Sequence, residues 1–221
     1  MSFHNIFLPY ENSQFKFPKN ETIVDFFFIN PSFNIVGMTH DYEAWILSCF
    51  AKFSKNIFEF GTCSGKTTAL FALNSSKESR VYTITLRPDE INSLPLNSSD
   101  TKVAIRNAIN ESIYNQFIFN NMSIKNKINL IFENSMNFDE SRLINSIDLI
   151  FIDSGHNYSC VKSDSEKSFK MIKNGGYIFW HDYVPRKKSC KDVVNYIHEI
   201  SKHKKILHIK NTTLCYYRKI D

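Results

Sequence analysis

Apolar positions along this 221-residue chain change their period several times, and each change marks an element. Over 40–53, Ala44, Trp45, Ile46, Leu47, Phe50, Ala51 and Phe53 widen into a helical face, with Thr39 or Asp41 available as its cap. Residues 57–60 are a short apolar run, and 66–74 suit a helix opening just beyond Gly65. VYTITL (81–86) is rich in β-branched residues and predicts a strand. A Pro/Asn/Ser loop follows, and then a helix from 102 to about 117. INLIF (128–132) predicts strand, 139–146 a short helix, and IDLIFID (147–153) a buried strand. Val161, Ser165, Phe169 and Ile172 repeat at helical spacing, Gly175-Gly176 ends that helix, and YIFWHD (177–182) is strand again. Ser189-x-x-Asp192 predicts a capping box ahead of the stripe Val193, Val194, Ile197 and Ile200. KILHI, a Lys-Asn-Thr turn and LCYYR then read as a hairpin.

Alternation of strand and helix before that hairpin predicts an α/β fold, with a mostly parallel sheet covered by helices on both faces. Residues 1–38 are aromatic-rich, carry prolines at 9, 18 and 31 and keep no period, so they are expected as an arm laid on a single domain of 39–221.

Composition changes this picture little. Hydrophobic residues are 43% and charged residues 22%, close to globular averages, which excludes a disordered or fibrous chain. The net charge is +5, and the stretch after Tyr183 is rich in Lys and Arg. Without interleaved aromatics to stack bases, that stretch predicts a solvated helix face and hairpin, and argues against a nucleic-acid partner. Five cysteines without a C-x-x-C pair fit a reducing compartment. The N-terminus has no basic region followed by an apolar run, and no apolar stretch approaches a membrane span, so a soluble, cytoplasmic protein with no membrane partner is expected.

Ligands of doubly wound sheets bind outside the carboxyl ends of the strands, near the point where strand order reverses. The residues closing the predicted strands are Glu59 with the Gly61 loop, Thr85, Asn134-Ser135, Asp153 and His181-Asp182. Packing alone does not explain polar groups at so many strand ends. Gly61 and Gly65 let the backbone approach a ligand, and the helix beginning near Lys66 offers free N–H groups to a phosphate or a carboxylate. Lys66 itself is expected as a solvent-facing residue of the first turn. Strand ends in a parallel sheet lie roughly 5 Å apart, so Asp153 and Asp182 could converge on one cation. Oxygen ligands favour Mg²⁺ or Ca²⁺, and His181 beside them shifts the preference toward Mn²⁺ or another transition metal. His156 could act as a general base near neutral pH.

These motifs resemble those of class I S-adenosylmethionine-dependent methyltransferases, in the branch of small-molecule O-methyltransferases. Glu59-Phe60-Gly61-Thr62-Cys63-Ser64-Gly65 fits the family's E-x-G-x-x-x-G without a gap. The stretch from Asp153 to Asp164 is similar to D-x-x-H-x-Y-x-x-V-x-x-D, and that from Gly175 to Tyr183 to G-G-x-x-x-x-H-D-Y. The resemblance runs from about Gly37 to Tyr183. It implies a Rossmann-like, doubly wound sheet of seven strands, mostly parallel, that ends in an antiparallel hairpin. It also implies that Glu59 holds the amino group of the cofactor's methionine part, with Gly61, Thr62, Ser64 and Gly65 around it, that Asn134 and Ser135 lie near the adenine, and that Thr85 and Asp153 complete the cofactor-binding set. Gly37-Met38-Thr39 would fold over the cofactor. Asp153, His181 and Asp182 would hold Mg²⁺ or Mn²⁺, and Asp153 and His156 would serve catalysis. The acceptor would be a small-molecule or glycan hydroxyl, and a homodimer is left open.

One position departs from the pattern. About 20 residues after the glycine loop, where a carboxylate ordinarily binds the ribose hydroxyls, stands Thr85. A hydroxyl cannot match a bidentate carboxylate, so Asp89 or Glu90 would have to reach back from the loop. Two alternatives remain at this level. A P-loop enzyme is disfavoured because only Thr62, Cys63 and Ser64 separate Gly61 from Gly65-Lys66-Thr67, one residue short of a phosphate cradle. A non-catalytic binding module on the same fold is motivated by Thr85.

Overall fold

The computed structural model describes residues 22–27, 39–87, 89–90, 102, 106, 109–110 and 112–220. In chain order its main elements are α1 (Asp41–Ala51), β1 (Asn56–Phe60), α2 (Lys66–Asn74), β2 (Arg80–Thr85), β3 (Ile128–Phe132), β4 (Ile147–Ile152), α3 (Tyr158–Met171), β5 (Ile172–Trp180), α4 (Lys191–Ile200), β6 (Leu207–His208) and β7 (Cys215–Arg218). The seven strands form one sheet in the order β3-β2-β1-β4-β5-β7-β6. β1 to β5 pair in parallel, and β7 runs antiparallel to both β5 and β6. From β1 the chain winds outward to β3 and then returns to β4 on the other side of β1. Strand order therefore reverses between β1 and β4, where Phe60 pairs with Ile152.

Side chains alternate across this sheet with period two, which sorts them into two cores. Phe58, Phe60, Ile150, Ile152, Ile178 and Trp180 pack on the face covered by Val161, Val193 and Ile197 of α3 and α4. Ile57, Leu149, Phe151 and Phe179 pack on the opposite face, against Ile46, Leu47 and Phe50 of α1 and Phe71 of α2. All six residues of β4 are buried, and each of its five large apolar side chains contributes roughly 1.5–3 kcal/mol. The rim at the centre of the sheet is thus anchored by its best-packed strand.

Several local expectations are corrected. Residues 139–146 make a single 3-10 turn, Ser141–Leu143, because the Asp139 carboxylate accepts both the N–H and the hydroxyl of Ser141, each at 3.0 Å, and competes with helix. Gly175-Gly176 does not end α3. It lies within β5, where the pairing jumps from Ile147–Ile172 to Leu149–Tyr177 and the intervening residues bulge. The cap of α1 is His40, whose N–H reaches the Glu43 carboxylate at 3.1 Å, while the Thr39 hydroxyl pairs with that of Thr67. α4 is capped by Cys190, so Ser189 falls one residue early, inside a 3-10 turn. Of the helix expected over 102–117, Lys102, Arg106, Ile109 and Asn110 are helical, 112–117 are turn and irregular backbone, and the rest lies outside the described residues, as do Gly37 and Met38. Of the arm, 22–27 are described: Asp25 exchanges two hydrogen bonds with Asn74 at the end of α2.

Candidate active site

The loop between β1 and α2 is shaped by two glycines in the left-handed region. Gly61 has φ of 97°, and a Cβ there would lie 2.1 Å from the carbonyl oxygen of Asp153. That clash measures how closely the ends of β1 and β4 approach each other, an approach also tied by the Asp153 N–H donating to the Phe60 carbonyl at 2.9 Å. Gly65, with φ of 81°, is the N-cap of α2, and a Cβ on it would meet the Phe119 ring at 2.7 Å. Lys66 is not solvent-facing: its Nζ donates to the Thr39 carbonyl at 2.8 Å and ties the approach to α1 onto α2.

Above this loop an open cleft follows the rim from β4 to β3. Of the predicted cofactor residues, Gly61, Thr85, Asn134, Ser135 and Asp153 line it, and Glu59, Thr62, Ser64 and Gly65 do not. Glu59 is 1% exposed and shares the parity of Ile57, so its side chain points into the layer beneath α2 rather than along the rim. There one carboxylate oxygen accepts from the hydroxyls of Thr68 and Thr83, the latter at 2.7 Å. Burial pushes the Glu59 carboxyl up to about 8, against the lowering effect of those hydroxyls. Neither Asp89 nor Glu90 is among the residues that line the cleft beside Thr85.

Sequence reasoning missed Cys63, Glu133, Ser154 and Gly155 in the lining. Glu133 directly follows β3, one position beyond the apolar run, and that position was the available signal. Asp164, the last residue of the D-x-x-H motif, is wholly buried on α3 and accepts from the Ser154 hydroxyl, which fixes the cleft wall beside Asp153. Burial raises its carboxyl to about 6. Tyr158 of the same motif turns away to donate to Glu199.

Next to the cleft, across Asp153, lies a compact cluster of carboxylates and imidazoles. The His181 N–H donates to the Ile152 carbonyl at 3.1 Å, so the pairing of β4 with β5 continues to the rim and sets His181 beside Asp153. His181 Nδ1 is 3.1 Å from Asp153 Oδ1 and 3.4 Å from Asp182 Oδ2, and His156 Nε2 is 2.9 Å from that same Asp182 oxygen. Asp182 adopts φ of 60°, a left-handed conformation that Asp tolerates. A third carboxylate, which sequence reasoning missed, arrives from α1: Glu43, 1% exposed, contacts His181 Nε2 at 3.1 Å and accepts from the Thr213 N–H. Burial raises the Glu43 carboxyl, but His181 and Thr213 outweigh it and hold it at about 2. Burial likewise disfavours charge on His181, yet Asp153, Asp182 and Glu43 raise its pKa well above the ordinary value.

This donor set fits a divalent cation. Asp153, His181 and Asp182 each offer a ligand atom, all within 4.8 Å of one another. The contacts of 3.1 and 3.4 Å are close to the octahedral edge of about 3 Å around a small divalent ion. His181 Nδ1 is buried, and despite those distances it has no hydrogen bond of acceptable geometry. Three carboxylates face two imidazoles, so negative charge is in excess even with both rings protonated. A mixed oxygen and nitrogen set suits Mn²⁺ better than Ca²⁺.

A family model described as a methyltransferase domain matches residues 58–183, more than half of the chain. A search of curated proteins finds no match to it. Solved structures share its architecture at low identity. Cofactor-bound Rv0187 from MTB superposes with a TM-score of 0.60 at 11% identity, covering 83% of each chain. The S-adenosylhomocysteine-bound methyltransferase PaMTH1 of Podospora anserina gives 0.59 at 14%, covering 83% of this chain and 80% of its own. The O-methyltransferase TomG of Streptomyces achromogenes, involved in tomaymycin synthesis and solved with S-adenosylmethionine, gives 0.53 at 12%, covering 82% of each. At these identities the likeness carries the fold, a Rossmann-like mostly parallel sheet with a C-terminal antiparallel pair. Among the described residues no helix is long and apolar enough to cross a membrane.

Proposed function

The chain belongs to the methyltransferase-domain family, and from that premise we propose that it transfers the methyl group of S-adenosylmethionine to a hydroxyl oxygen of a small molecule or sugar, assisted by a divalent cation. The observation that carries this reading is the position of Asp153, which lines the open cleft on one side and belongs to the carboxylate–imidazole cluster on the other. A cofactor in the cleft and an acceptor at the cluster would meet across it.

In this reading the cofactor's methionine end lies against Gly61 and Cys63 of the loop ahead of α2, and its adenosine lies toward Thr85, Asn134 and Ser135. Glu59 acts from behind, by setting the layer of Thr68, Thr83 and Thr62 beneath the loop. Asp153, His181 and Asp182 would hold the cation, with Glu43 fixing the ring of His181. A bound divalent ion supplies Lewis acidity that makes a hydroxyl a better nucleophile near neutral pH. The acceptor oxygen attacks the sulfonium methyl carbon as the carbon–sulfur bond breaks, giving a methyl ether and neutral S-adenosylhomocysteine. The hydroxyl proton is taken up at Nε2 of His156, the nitrogen that faces the Asp182 carboxylate at 2.9 Å, so the imidazolium formed is held by that carboxylate.

A methyl-transfer screen over sugars, phenols and vicinal diols, run with Mg²⁺, with Mn²⁺ and with chelator, tests the proposal. Methyl ether formation that the chelator abolishes supports it. Transfer unaffected by chelator removes the cation from the reading, and turnover confined to nitrogen or thiol acceptors refutes the choice of oxygen.

A further inference from the structure

We infer that Glu133, at the end of β3, supplies the carboxylate for the cofactor's ribose hydroxyls that Thr85 at the end of β2 cannot. The inference rests on the reading that the cleft takes S-adenosylmethionine. A ribose diol held in a cleft needs an acceptor of two hydrogen bonds, and doubly wound nucleotide sites ordinarily place a carboxylate for it at the end of the second strand. Here that position is a threonine with one hydroxyl.

Glu133 occupies the adjacent rim position. β2 and β3 stay in register to Thr85–Phe132, and the Glu133 N–H then donates to the Thr85 carbonyl at 3.0 Å. Neighbouring strands are about 4.8 Å apart, a gap that a glutamate side chain can span. Glu133 lines the cleft together with Thr85 and Asn134. Among the described residues it is one of two carboxylates in that lining, and the other, Asp153, faces His181. Asp89 and Glu90 stay outside the cleft. Half-buried Glu133 makes no side-chain hydrogen bond or ion pair among the described residues, so its acceptor capacity is unspent. The ribose carboxylate has moved one strand outward along the rim.

Calorimetric titration of the full chain with S-adenosylhomocysteine and with its 2′-deoxyribose analogue tests this, thermal melting confirming that each variant is folded. The wild type is expected to prefer the ribose form. Glu133→Gln should weaken S-adenosylhomocysteine binding by about 10- to 100-fold and erase that preference, since charge-assisted bonds to both hydroxyls are lost. Adding Thr85→Glu to Glu133→Gln should restore both. A Glu133→Gln variant that binds like wild type, or that weakens while keeping full preference for ribose, overturns the assignment and leaves the cofactor reading intact. A wild type that binds neither compound overturns both together.

Discussion

Replacing Glu59 by glutamine isolates the electrostatic cost of a carboxyl group sealed beneath the glycine loop. The group is 1% exposed, and burial holds its pKa at about 8 against an ordinary 4.5. Below pH 4.5 the folded and unfolded chains both keep the proton, and its stabilisation is complete. As the pH rises toward 8 the unfolded chain releases that proton while the folded chain retains it, so stability falls with pH across this window and levels off above it. At about 1.4 kcal/mol for each pH unit separating the two values, the loss between about pH 5 and pH 8.5 is on the order of 3–4 kcal/mol. Glutamine carries no such titration. Its carbonyl oxygen can still accept from Thr68 and Thr83, while its buried NH₂ costs roughly 1–3 kcal/mol if it finds no acceptor. Glu59→Gln should thus be the less stable protein near pH 5 and the more stable one near pH 8.5. Urea unfolding of both proteins at the two pH values measures this, and comparison at equal pH cancels every other titrating group. A stability difference that does not change with pH would refute the assignment of a neutral, buried acid at Glu59.

Gly61→Ala should lower stability by about 2–5 kcal/mol, combining left-handed strain with overpacking against Asp153, and urea unfolding should show a lower midpoint at unchanged slope. Glu43→Gln removes the carboxylate on His181 Nε2 and should weaken Mn²⁺ binding by about 10- to 100-fold, read by calorimetry on the protein without substrate. His156→Ala should cut kcat by about 10²- to 10⁴-fold while S-adenosylhomocysteine affinity, measured separately, stays within a factor of about two.

Period and punctuation made most of the fold legible. The runs at 57–60, 81–86, 128–132 and 147–153 all became strands within a residue or so, because each is apolar enough to demand burial in the sheet. What failed was local. Gly175-Gly176 looked like a helix stop, yet α3 had already ended at Met171 and the pair served a bulge whose register only the partner strand β4 reveals. At the site, Asp153, His181 and Asp182 were legible because they directly follow strands, and a strand end determines where they lie. Glu59 was legible as a motif, while its buried partners Thr68 and Thr83 were not, since they come from α2 and β2. Glu43 was illegible: it sits on α1, 138 residues from His181 in sequence, and on a helical face its only local signal is a cap for His40.

Titration of the full chain with S-adenosylhomocysteine, beside ATP under the same conditions, tests the central claim most directly. One equivalent of S-adenosylhomocysteine should bind, heat should be absent with ATP, and Gly61→Ala should abolish the binding by forcing the ends of β1 and β4 apart at the cleft floor. Binding of ATP with silence toward S-adenosylhomocysteine would contradict the claim that this cleft is built for a methyl donor.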